Sequence, residues 1–342
     1  MTQPTQQEIH LANRPKGLPT METFDFVDRP MPSINENEVL VRTLYVSVDP
    51  YMRGRMQDVK SYIPPFKLHE VIVGGVVGQV IESNSDSFKP GDFVVGNLNW
   101  AEYTAAAEKD IRKIDPAAAP ITAHLGILGM TGLTAYFGLL DIGKPQAGET
   151  VAVSGAAGAV GSVVGQIAKM KGAKVIGIAG SQEKIDYLKN DLGFDEAVNY
   201  KKDSFRDDLK AAAADGIDIY FDNVGGEVTD AVFELLNNHA RIALCGAISG
   251  YNKTEKDLGP RPHSAMIKTS ALMKGFTVGD YSADFSTAGA ELGKWLSEGK
   301  LQYEETIVNG FEKIPEAFLG LFEGINLGKQ LVKVADPVKI EQ

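Results

Sequence analysis

The chain contains, near its middle, Val151-Ala-Val-Ser-Gly-Ala-Ala-Gly-Ala-Val-Gly161, in which an apolar strand leads into a glycine-rich turn and then into a helix. Glycines at 155, 158 and 161 permit a tight turn, close approach of a pyrophosphate, and close packing of the helix on the sheet. The helix N-terminus offers free N–H groups and the positive end of its dipole to phosphates. The spacing is G-x-x-G-x-x-G, and a glycine turn packed for structure alone is the alternative. The strand–turn–helix context favours a dinucleotide site.

Strands and helices alternate on both sides of this turn. Apolar positions 160, 163, 164, 167 and 168 recur at helical spacing, and Gly172 follows where a C-terminal cap glycine is typical. Such alternation predicts βαβ units and a parallel, doubly wound sheet. The predicted strands are Val151–Val153, Lys174–Ile178, Glu196–Asn199, Ile217–Phe221, Arg241–Cys245 and Gly275–Val278.

The two ends of the chain have a different pattern. Residues 1 to about 125 contain β-branched runs such as Glu38–Val48 and Val71–Ile81, separated by Gly/Pro turns, which predict a partly closed, mainly β structure. A helix at Phe311–Phe322 and a strand at Gln330–Val334 are expected to rejoin that domain. The prediction is therefore an α/β protein with two domains. The dinucleotide-binding Rossmann domain spans 128–302, the substrate domain spans 1–127 and 303–342, and a ligand cleft is expected between them.

Composition excludes several classes of protein. The 342 residues carry a formal net charge of −11, which repels phosphate backbones and argues against a nucleic-acid partner. A single cysteine, Cys245, excludes an internal disulfide framework and a multi-cysteine metal cluster. There is no apolar run of about 18 residues and no signal-like N-terminus, so we expect no membrane contact and a cytoplasmic location.

The second predicted strand indicates which cofactor is bound. An NAD site places an acid at the end of this strand, where it accepts hydrogen bonds from the ribose hydroxyls. Here Lys174–Ile178 is followed by Ser181 and Lys184, a hydroxyl and an ammonium that suit a 2′-phosphate. The alternative for Lys184 is a solvated helix residue. The sequence thus predicts NADP(H). Asn223, just after a later strand, is a further cofactor candidate, with a turn-forming role as its alternative.

The sequence gives little support to a metal site or to a nucleophilic cysteine. Catalytic zinc needs three protein ligands, and the pair His69-Glu70 has no thiolate or second histidine nearby in sequence, so no metal is predicted. Cys245 ends an apolar strand without a flanking His or Lys, which favours a buried, inert thiol over a nucleophile.

The chain resembles the medium-chain dehydrogenase/reductase family. It is most similar to the zinc-independent branch of prostaglandin reductases and alkenal double-bond reductases, which includes curcumin reductase-like enzymes. The resemblance covers nearly the whole chain in family order. It lies in Val48–Met56, Gly129–Tyr136, Gly155–Gly161, Tyr220–Gly226, Cys245–Asn252 and Asn326–Lys329. It implies a Rossmann domain with a GroES-like catalytic domain.

The resemblance also implies roles for individual residues. The implied cofactor-binding set is Thr131, Gly155, Gly158, Ala159, Val160, Gly161, Ser181, Lys184, Tyr200, Asn223, Cys245, Gly246, Ala247, Ile248, Ser249, Phe276, Thr277, Val278 and Asn326. Related enzymes hold the substrate carbonyl with tyrosines, and the matching candidates are Tyr251, Tyr62 and Tyr51. The alternative for each is an amphipathic surface or interface side chain, and this alternative is stronger for Tyr51 than for the other two. Gly250 stands where some relatives carry a larger residue, which affects the orientation of Tyr251.

The implied reaction is NADPH-dependent reduction of the carbon–carbon double bond of α,β-unsaturated ketones and aldehydes. Hydride reaches the β-carbon, and a phenol or the ribose hydroxyl of the cofactor stabilises the resulting enolate. A quinone reductase of the same superfamily and a non-catalytic NADPH-binding protein are the alternatives. The expected partners are a small-molecule substrate and a second copy of the chain, paired along the Rossmann sheet edge near Gly275–Val278.

Overall fold

The structure is a computed structural model that describes residues 4–340. Residues 1–3 and 341–342, with which the predicted domain ranges begin and end, lie outside the described residues. The backbone forms two compact units. The first unit comprises the chain up to Leu125, Glu305–Ile325 and the tail from Gln330, and the second comprises Gly126–Glu304 and Asn326–Lys329.

The first unit is mainly β. Its strands are β1 (Thr5–Leu11), β2 (Phe24–Pro30), β3 (Glu38–Ser47), β4 (Val73–Ser83), β5 (Phe93–Asn99), β6 (Tyr103–Ala107) and β7 (Ile111–Ile114). The second unit carries a parallel sheet of β8 (Thr150–Ser154), β9 (Lys174–Ala179), β10 (Glu196–Asn199), β11 (Ile217–Asp222), β12 (Leu236–Leu244) and β13 (Leu272–Gly275). The first unit is completed by β14 (Glu305–Asn309) and β15 (Lys329–Lys333).

The helices are concentrated in the second unit. They are α1 (Met52–Arg55), α2 (Met130–Phe137), α3 (Gly161–Met170), α4 (Gln182–Asp186), α5 (Phe205–Ala212), α6 (Gly226–Phe233), α7 (His263–Thr269), α8 (Phe285–Ser297) and α9 (Ile314–Glu323). Shorter 3₁₀ helices include Met21–Thr23, Glu108–Asp110, Ile121–Leu125, Ile248–Gly250, Val278–Asp284 and Phe311–Lys313, and π-helical turns continue α2 over Gly138–Gly143 and α4 over Tyr187–Asp191. The predicted helix after the glycine turn is confirmed, and Gly172 beyond its end has a φ of +80°.

The sheet of the second unit has the order β10-β9-β8-β11-β12-β13. The central strand β8 pairs in parallel with both β9 and β11, and the chain order reverses at that point. Ligands of doubly wound sheets bind at the carboxyl ends of strands where the order reverses. The predicted Rossmann architecture is confirmed, and the turn after β8 lies at the reversal.

One predicted strand is wrong. Gly275–Val278 was expected to form the last strand, but the edge strand is β13, which ends at Gly275, and Val278 begins a 3₁₀ helix. Thr277 explains the change, because its side chain and that of Asp280 form a capping box that starts the helix. Apolar content alone did not distinguish a strand from the turn that follows it.

The first unit is antiparallel. Its larger sheet has the order β14-β15-β3-β4-β5-β7, with β6 paired to β3, and β1 pairs with β2 separately. Trp100 and Phe318 are fully buried in its core, and Phe24 stacks on Trp100 with ring centroids 6.3 Å apart. This core supports α1, in which Met52 is fully buried. No helix among residues 4–340 has both the length and the apolar character needed to cross a bilayer.

Candidate active site

The turn between β8 and α3 requires glycine at two of its three glycine positions. Gly155 has a φ of +60°, a backbone conformation that side chains rarely adopt. A Cβ at position 161 would lie 2.4 Å from the Gly155 carbonyl oxygen, so α3 can start this close to the strand only without a side chain there. Position 158 is less restricted, since its Cβ would lie 3.2 Å from the same oxygen. The predicted roles of a tight turn and close helix packing thus belong to Gly155 and Gly161.

The start of α3 presents N–H groups that have no protein partner. Within residues 4–340, the N–H groups of Val160 and Gly161 donate to no acceptor, whereas the Ala159 N–H faces the Gly328 carbonyl in the parallel bridge between Gly158 and Gly328. The neighbouring N–H of Gly158 donates to Gly155 (3.0 Å), and that of Ser162 donates to Gly158 (3.1 Å). Two free donors at the positive end of a helix form a suitable site for a phosphate.

A returning segment, residues 326–329, holds this turn from the other side. The Gly328 N–H donates to the Ala157 carbonyl (2.8 Å), and Gly328 forms a parallel bridge with Gly158. Gly328 has a φ of +64°, and a Cβ there would lie 1.9 Å from the Glu304 carbonyl oxygen. The amide of Asn326 donates to the Gly328 carbonyl (2.8 Å), so this predicted cofactor residue also shapes the segment.

Asp222 organises the carboxyl end of β11, a role that no sequence pattern indicates. It is only 2% exposed, and its carboxylate accepts from Ser154 Oγ (3.0 Å), Thr229 Oγ1 (2.6 Å) and the Val224 N–H (2.9 Å). Asn223 then donates from its amide to the Ser154 carbonyl (2.8 Å). The side chain of Asn223 therefore ties β11 to β8, which supports the structural alternative for its amide nitrogen.

The end of β9 brings together the residues predicted to bind a 2′-phosphate. Ser181 caps α4, with its Oγ accepting from the Lys184 N–H (3.3 Å), and the Tyr200 ring contacts Gly180, where a Cβ would lie 2.9 Å from that ring. Burial, and after it the charge of Lys201, lower the pKa of Lys184, while Glu183 opposes them.

Lys201 is therefore a cation of this site that sequence reasoning missed. Its Nζ also lies 6.0 Å from the centroid of the Tyr200 ring. Two ammonium groups that repel each other are stabilised when an anion binds beside both. A signal existed in the sequence, because Lys201 follows the predicted Tyr200 directly, but nothing in the sequence indicated its proximity to Lys184.

The segment from Cys245 to Tyr251 lies against the strand end of β11. The N–H groups of Cys245 and Gly246 donate to the Asp222 carbonyl (2.9 and 3.0 Å), and Ser249 Oγ donates to the Val224 carbonyl (2.7 Å). Burial of the thiol, followed by the charge of Asp222, raises the pKa of Cys245 to about 12, although the residue as a whole is half-buried. The thiol is therefore protonated at neutral pH, which agrees with an inert cysteine.

Tyr251 folds back over this segment. The Ala247 N–H donates to the Tyr251 hydroxyl oxygen (3.3 Å), which leaves the phenol proton available for another acceptor. Burial raises the pKa of Tyr251, the Ala247 N–H opposes this, and Cys245 and Asp222 add to it, so the phenol stays protonated. A Cβ at Gly250 would have a neighbour only at 4.0 Å, Asp257, so the small residue leaves open space beside Tyr251.

Two further predicted sites lie in the second unit. The ring of Phe276 packs against Phe221, with centroids 6.2 Å apart, and against Gly138, so any cofactor contact by Phe276 itself would come from its backbone. Thr131 is 6% exposed, and its Oγ1 is buried without a hydrogen-bond partner within residues 4–340. A buried hydroxyl without a partner is costly, and a bound ligand would satisfy it.

These features fit NADP(H). Free N–H groups and essential glycines suit the pyrophosphate, paired cations suit the 2′-phosphate, and Thr131 offers a hydroxyl for a polar group of the cofactor. Among residues 4–340, no group of three or more His, Cys, Asp or Glu side chains is arranged to hold a metal ion.

Tyr51 and Tyr62 belong to the first unit: Tyr51 directly precedes α1, and Tyr62 lies in the loop that follows it. Tyr51 is half-buried, whereas the Tyr62 side chain is 69% exposed. Burial, followed by the charge of Asp49, raises the pKa of Tyr51, and Arg55 opposes this shift. The structure brings Tyr51, Tyr62 and Arg55 within electrostatic range of one another. Arg55 lies in the quoted family segment, but its contacts were not predicted.

Two family models match the chain. One, described as the N-terminal domain of oxidoreductase, matches residues 7–114, and the other, described as zinc-binding dehydrogenase, matches residues 159–294.

Individual relatives match over nearly the full length. A protein of Bacillus subtilis, YfmJ, provisionally named an NADP-dependent oxidoreductase, is 61% identical over 97% of this chain and 99% of its own. Rat prostaglandin reductase 1 is 45% identical over 93% and 96% of the two chains. The NADP⁺-dependent 2-alkenal reductase of tobacco is 44% identical over 87% and 88%.

A solved structure matches equally well. The CurA protein of Vibrio vulnificus, crystallised in complex with NADPH, is 44% identical, with a TM-score of 0.93 over 97% of this chain and 100% of that chain.

Proposed function

The chain belongs to the medium-chain dehydrogenase/reductase family, in the branch of prostaglandin and 2-alkenal reductases, and we propose that it reduces the carbon–carbon double bond of α,β-unsaturated ketones and aldehydes with NADPH. The similarity to 2-alkenal reductase along both domains carries the choice of substrate class. The choice of cofactor rests on the paired cations Lys184 and Lys201 and on the NADPH complex of CurA.

The residues of the second unit would bind and orient the cofactor. NADPH, when bound, supplies the hydride. The N–H groups of Val160 and Gly161 would donate to the pyrophosphate, and Lys184 and Tyr200 would contact the 2′-phosphate with Lys201. Thr131 would donate its hydroxyl to a polar group near the nicotinamide, which satisfies a donor that has no protein partner. Positioning of this kind lowers the barrier by removing the entropic cost of bringing two reactants together.

Phenols would hold the substrate carbonyl. When hydride adds to the β-carbon, negative charge builds on the carbonyl oxygen, and a donor aimed at that oxygen is worth about 2.7–4 kcal/mol in comparable enzymes. Tyr251 is supported by its free proton and its position over the segment 245–247, and Tyr62 by its exposure. Tyr51 is the third candidate. A proton must then reach the α-carbon, and solvent is the simplest source.

A panel of acceptors tests the proposal. NADPH oxidation is followed by absorbance with an enone, a 2-alkenal, a quinone or no acceptor, and each is repeated with NADH. We expect rapid turnover with the enone and the alkenal, slower turnover with NADH, and none without acceptor. Turnover restricted to the quinone would instead identify a quinone reductase, and binding of NADPH without turnover would identify a non-catalytic protein.

We propose further that the protein is a homodimer paired along β13, and that it acts in the cytoplasm. The four residues of β13 are all exposed at the sheet edge, including Leu272 (56%) and Met273 (37%), and an exposed edge strand tends to pair with another strand. Light scattering should give twice the chain mass, and Leu272→Asp should give the monomer. The cytoplasmic location is supported by the single cysteine, which forms no internal disulfide.

A further inference from the structure

Arg55 makes an unusual number of contacts for a side chain at the end of a one-turn helix. From the last residue of α1, its Nε donates to the Pro64 carbonyl (3.0 Å) and one terminal nitrogen lies 3.5 Å from the Val73 carbonyl. Its guanidinium carbon lies 4.0 Å from the centroid of the Phe66 ring. A planar guanidinium can stack on a ring while its edge donates hydrogen bonds, so these contacts fix its orientation.

Arg55 also interacts with Tyr51, one helical turn earlier, since each side chain affects the pKa of the other. In any hydrogen bond between the two side chains the guanidinium must donate, because it has no acceptor. The phenol oxygen therefore accepts, and Arg55 cannot receive the phenol proton. The proton of Tyr51 remains for a different acceptor.

The same side chain fixes the end of the loop that carries Tyr62. Arg55 holds this loop by the Pro64 carbonyl, and its own carbonyl accepts from the Phe66 N–H (2.7 Å). Between these contacts and α1, residues 58–62 are exposed. The position of the Tyr62 ring thus depends on a loop whose far end is held by Arg55.

Charge around Tyr51 comes from three groups. Asp49 disfavours the phenolate, Arg55 favours it, and Tyr62 disfavours it slightly when ionised. Burial lowers the pKa of Arg55, the two tyrosines oppose this, and an arginine remains charged at any working pH. The guanidinium therefore opposes burial and Asp49, whose combined effect still raises the pKa of Tyr51.

We propose that Arg55 is a positioning residue of the reductase site, which orients the Tyr51 hydroxyl and seats the loop of Tyr62 so that both phenols can donate to the substrate carbonyl. The inference rests on the proposed enone reduction. It assigns Tyr51 a larger role than its burial alone indicates, because a guanidinium that donates to the phenol oxygen determines where its proton points.

A double-mutant cycle tests this inference. Arg55→Met, Arg55→Lys and Tyr51→Phe are made singly and in combination, and kcat and KM are measured with but-3-en-2-one and NADPH. Arg14→Met is the matched control, because Arg14 holds the same loop through the Met56 and Phe66 carbonyls (3.0 and 3.1 Å), and in the described chain its side chain donates no hydrogen bond to Tyr51. NADPH affinity is measured separately by fluorescence titration.

We expect Arg55→Met to lower kcat about tenfold, Arg55→Lys to recover part of this loss through its retained charge, and Arg14→Met mainly to raise KM. In the Tyr51→Phe background, Arg55→Met should lower kcat less than about twofold, and NADPH affinity should stay unchanged throughout.

An equal loss of kcat with and without the Tyr51 hydroxyl would overturn the inference. If Arg55→Met does not fold, Arg55→Lys is put through the same cycle with the same criterion. Failure of the wild-type protein to reduce the enone would count against the proposed function, whereas an active wild type without coupling would count against the role of Arg55 alone.

Discussion

The turn after β8 and the segment of residues 51–66 differ in the groups that determine their geometry. The turn consists of backbone donors and glycines, so its geometry is determined by a short stretch of chain and by the strand and helix on either side. The segment 51–66 consists of side chains that depend on contacts with distant residues, such as Arg14 with Phe66 and Arg55 with Val73. Sites built from local backbone can be predicted from sequence patterns, whereas sites built from long-range side-chain contacts cannot.

The largest effect should come from removing a phenol hydroxyl. Tyr251→Phe or Tyr62→Phe keeps the ring and deletes one donor, so kcat and kcat/KM should fall together, by about 100- to 1000-fold for the dominant tyrosine. A loss of kcat of about tenfold would indicate that the phenol and the ribose hydroxyl of the cofactor both stabilise the enolate. Tyr62 belongs to the side-chain-built segment and Tyr251 to the second unit, so the larger loss identifies which region supplies the donor. Wild-type rates in both single mutants and the double mutant would rule out a phenol donor.

The next effect tests whether backbone builds the nucleotide site. Gly161→Ala would place a methyl group 2.4 Å from the Gly155 carbonyl, so the start of α3 must shift away from the strand. Overpacking of this kind costs up to about 3 kcal/mol of folding free energy. Because the N–H groups at the start of α3 shift with the helix, we also expect NADPH affinity to fall, by up to about 100-fold. Gly293→Ala is the control, because a Cβ there has no neighbour within 4 Å. Equal affinities of Gly161→Ala and wild type, measured by fluorescence titration, would contradict the role of this glycine.

A smaller, selective effect should follow from the paired cations. Lys184→Ala should weaken NADPH binding by about tenfold and leave NADH nearly unaffected, because one charge-assisted contact to the 2′-phosphate is lost. Lys201→Ala should act in the same direction to a smaller extent. Lys202→Ala, an exposed neighbour, serves as the control. If Lys184→Ala weakens both cofactors equally, Lys184 does not contact the phosphate.

The smallest effect is expected at Cys245. Its raised pKa, about 12, leaves the thiol protonated at neutral pH, so thiol-directed alkylation should be slow. Cys245→Ala should keep kcat within about twofold of wild type, since its N–H bond to Asp222 comes from the backbone. Rapid inactivation by iodoacetamide that NADPH prevents would show instead that the thiol is accessible and reactive.

Much of the fold followed from periodicity and turn residues. Five of the six predicted Rossmann strands coincide with or fall within about one residue of observed strands, except that β12 begins earlier, at Leu236. The sixth failed at Gly275–Val278, where the capping pair Thr277 and Asp280 overrides apolar content. The family assignment and the cofactor are confirmed by the relatives.

The site was less predictable where side chains meet across the sequence. Asp222, which binds several groups at the strand end, looked like one more polar residue after a strand, because hydrogen bonds to Ser154 and Thr229 have no sequence signature. The contacts of Lys201 and Arg55 were not predicted for the same reason. The individual roles of the predicted site residues stay predictions until the substitutions above are measured.

The fate of the transferred hydride tests the central claim most directly. The protein is incubated with an enone and NADPH that carries deuterium at the transferable position, and the product is analysed by mass spectrometry and NMR. Reduction of the carbon–carbon double bond predicts a saturated ketone with deuterium on the β-carbon and the carbonyl intact. Deuterium on the carbonyl carbon of an allylic alcohol, or an unlabelled and unchanged enone, would contradict it.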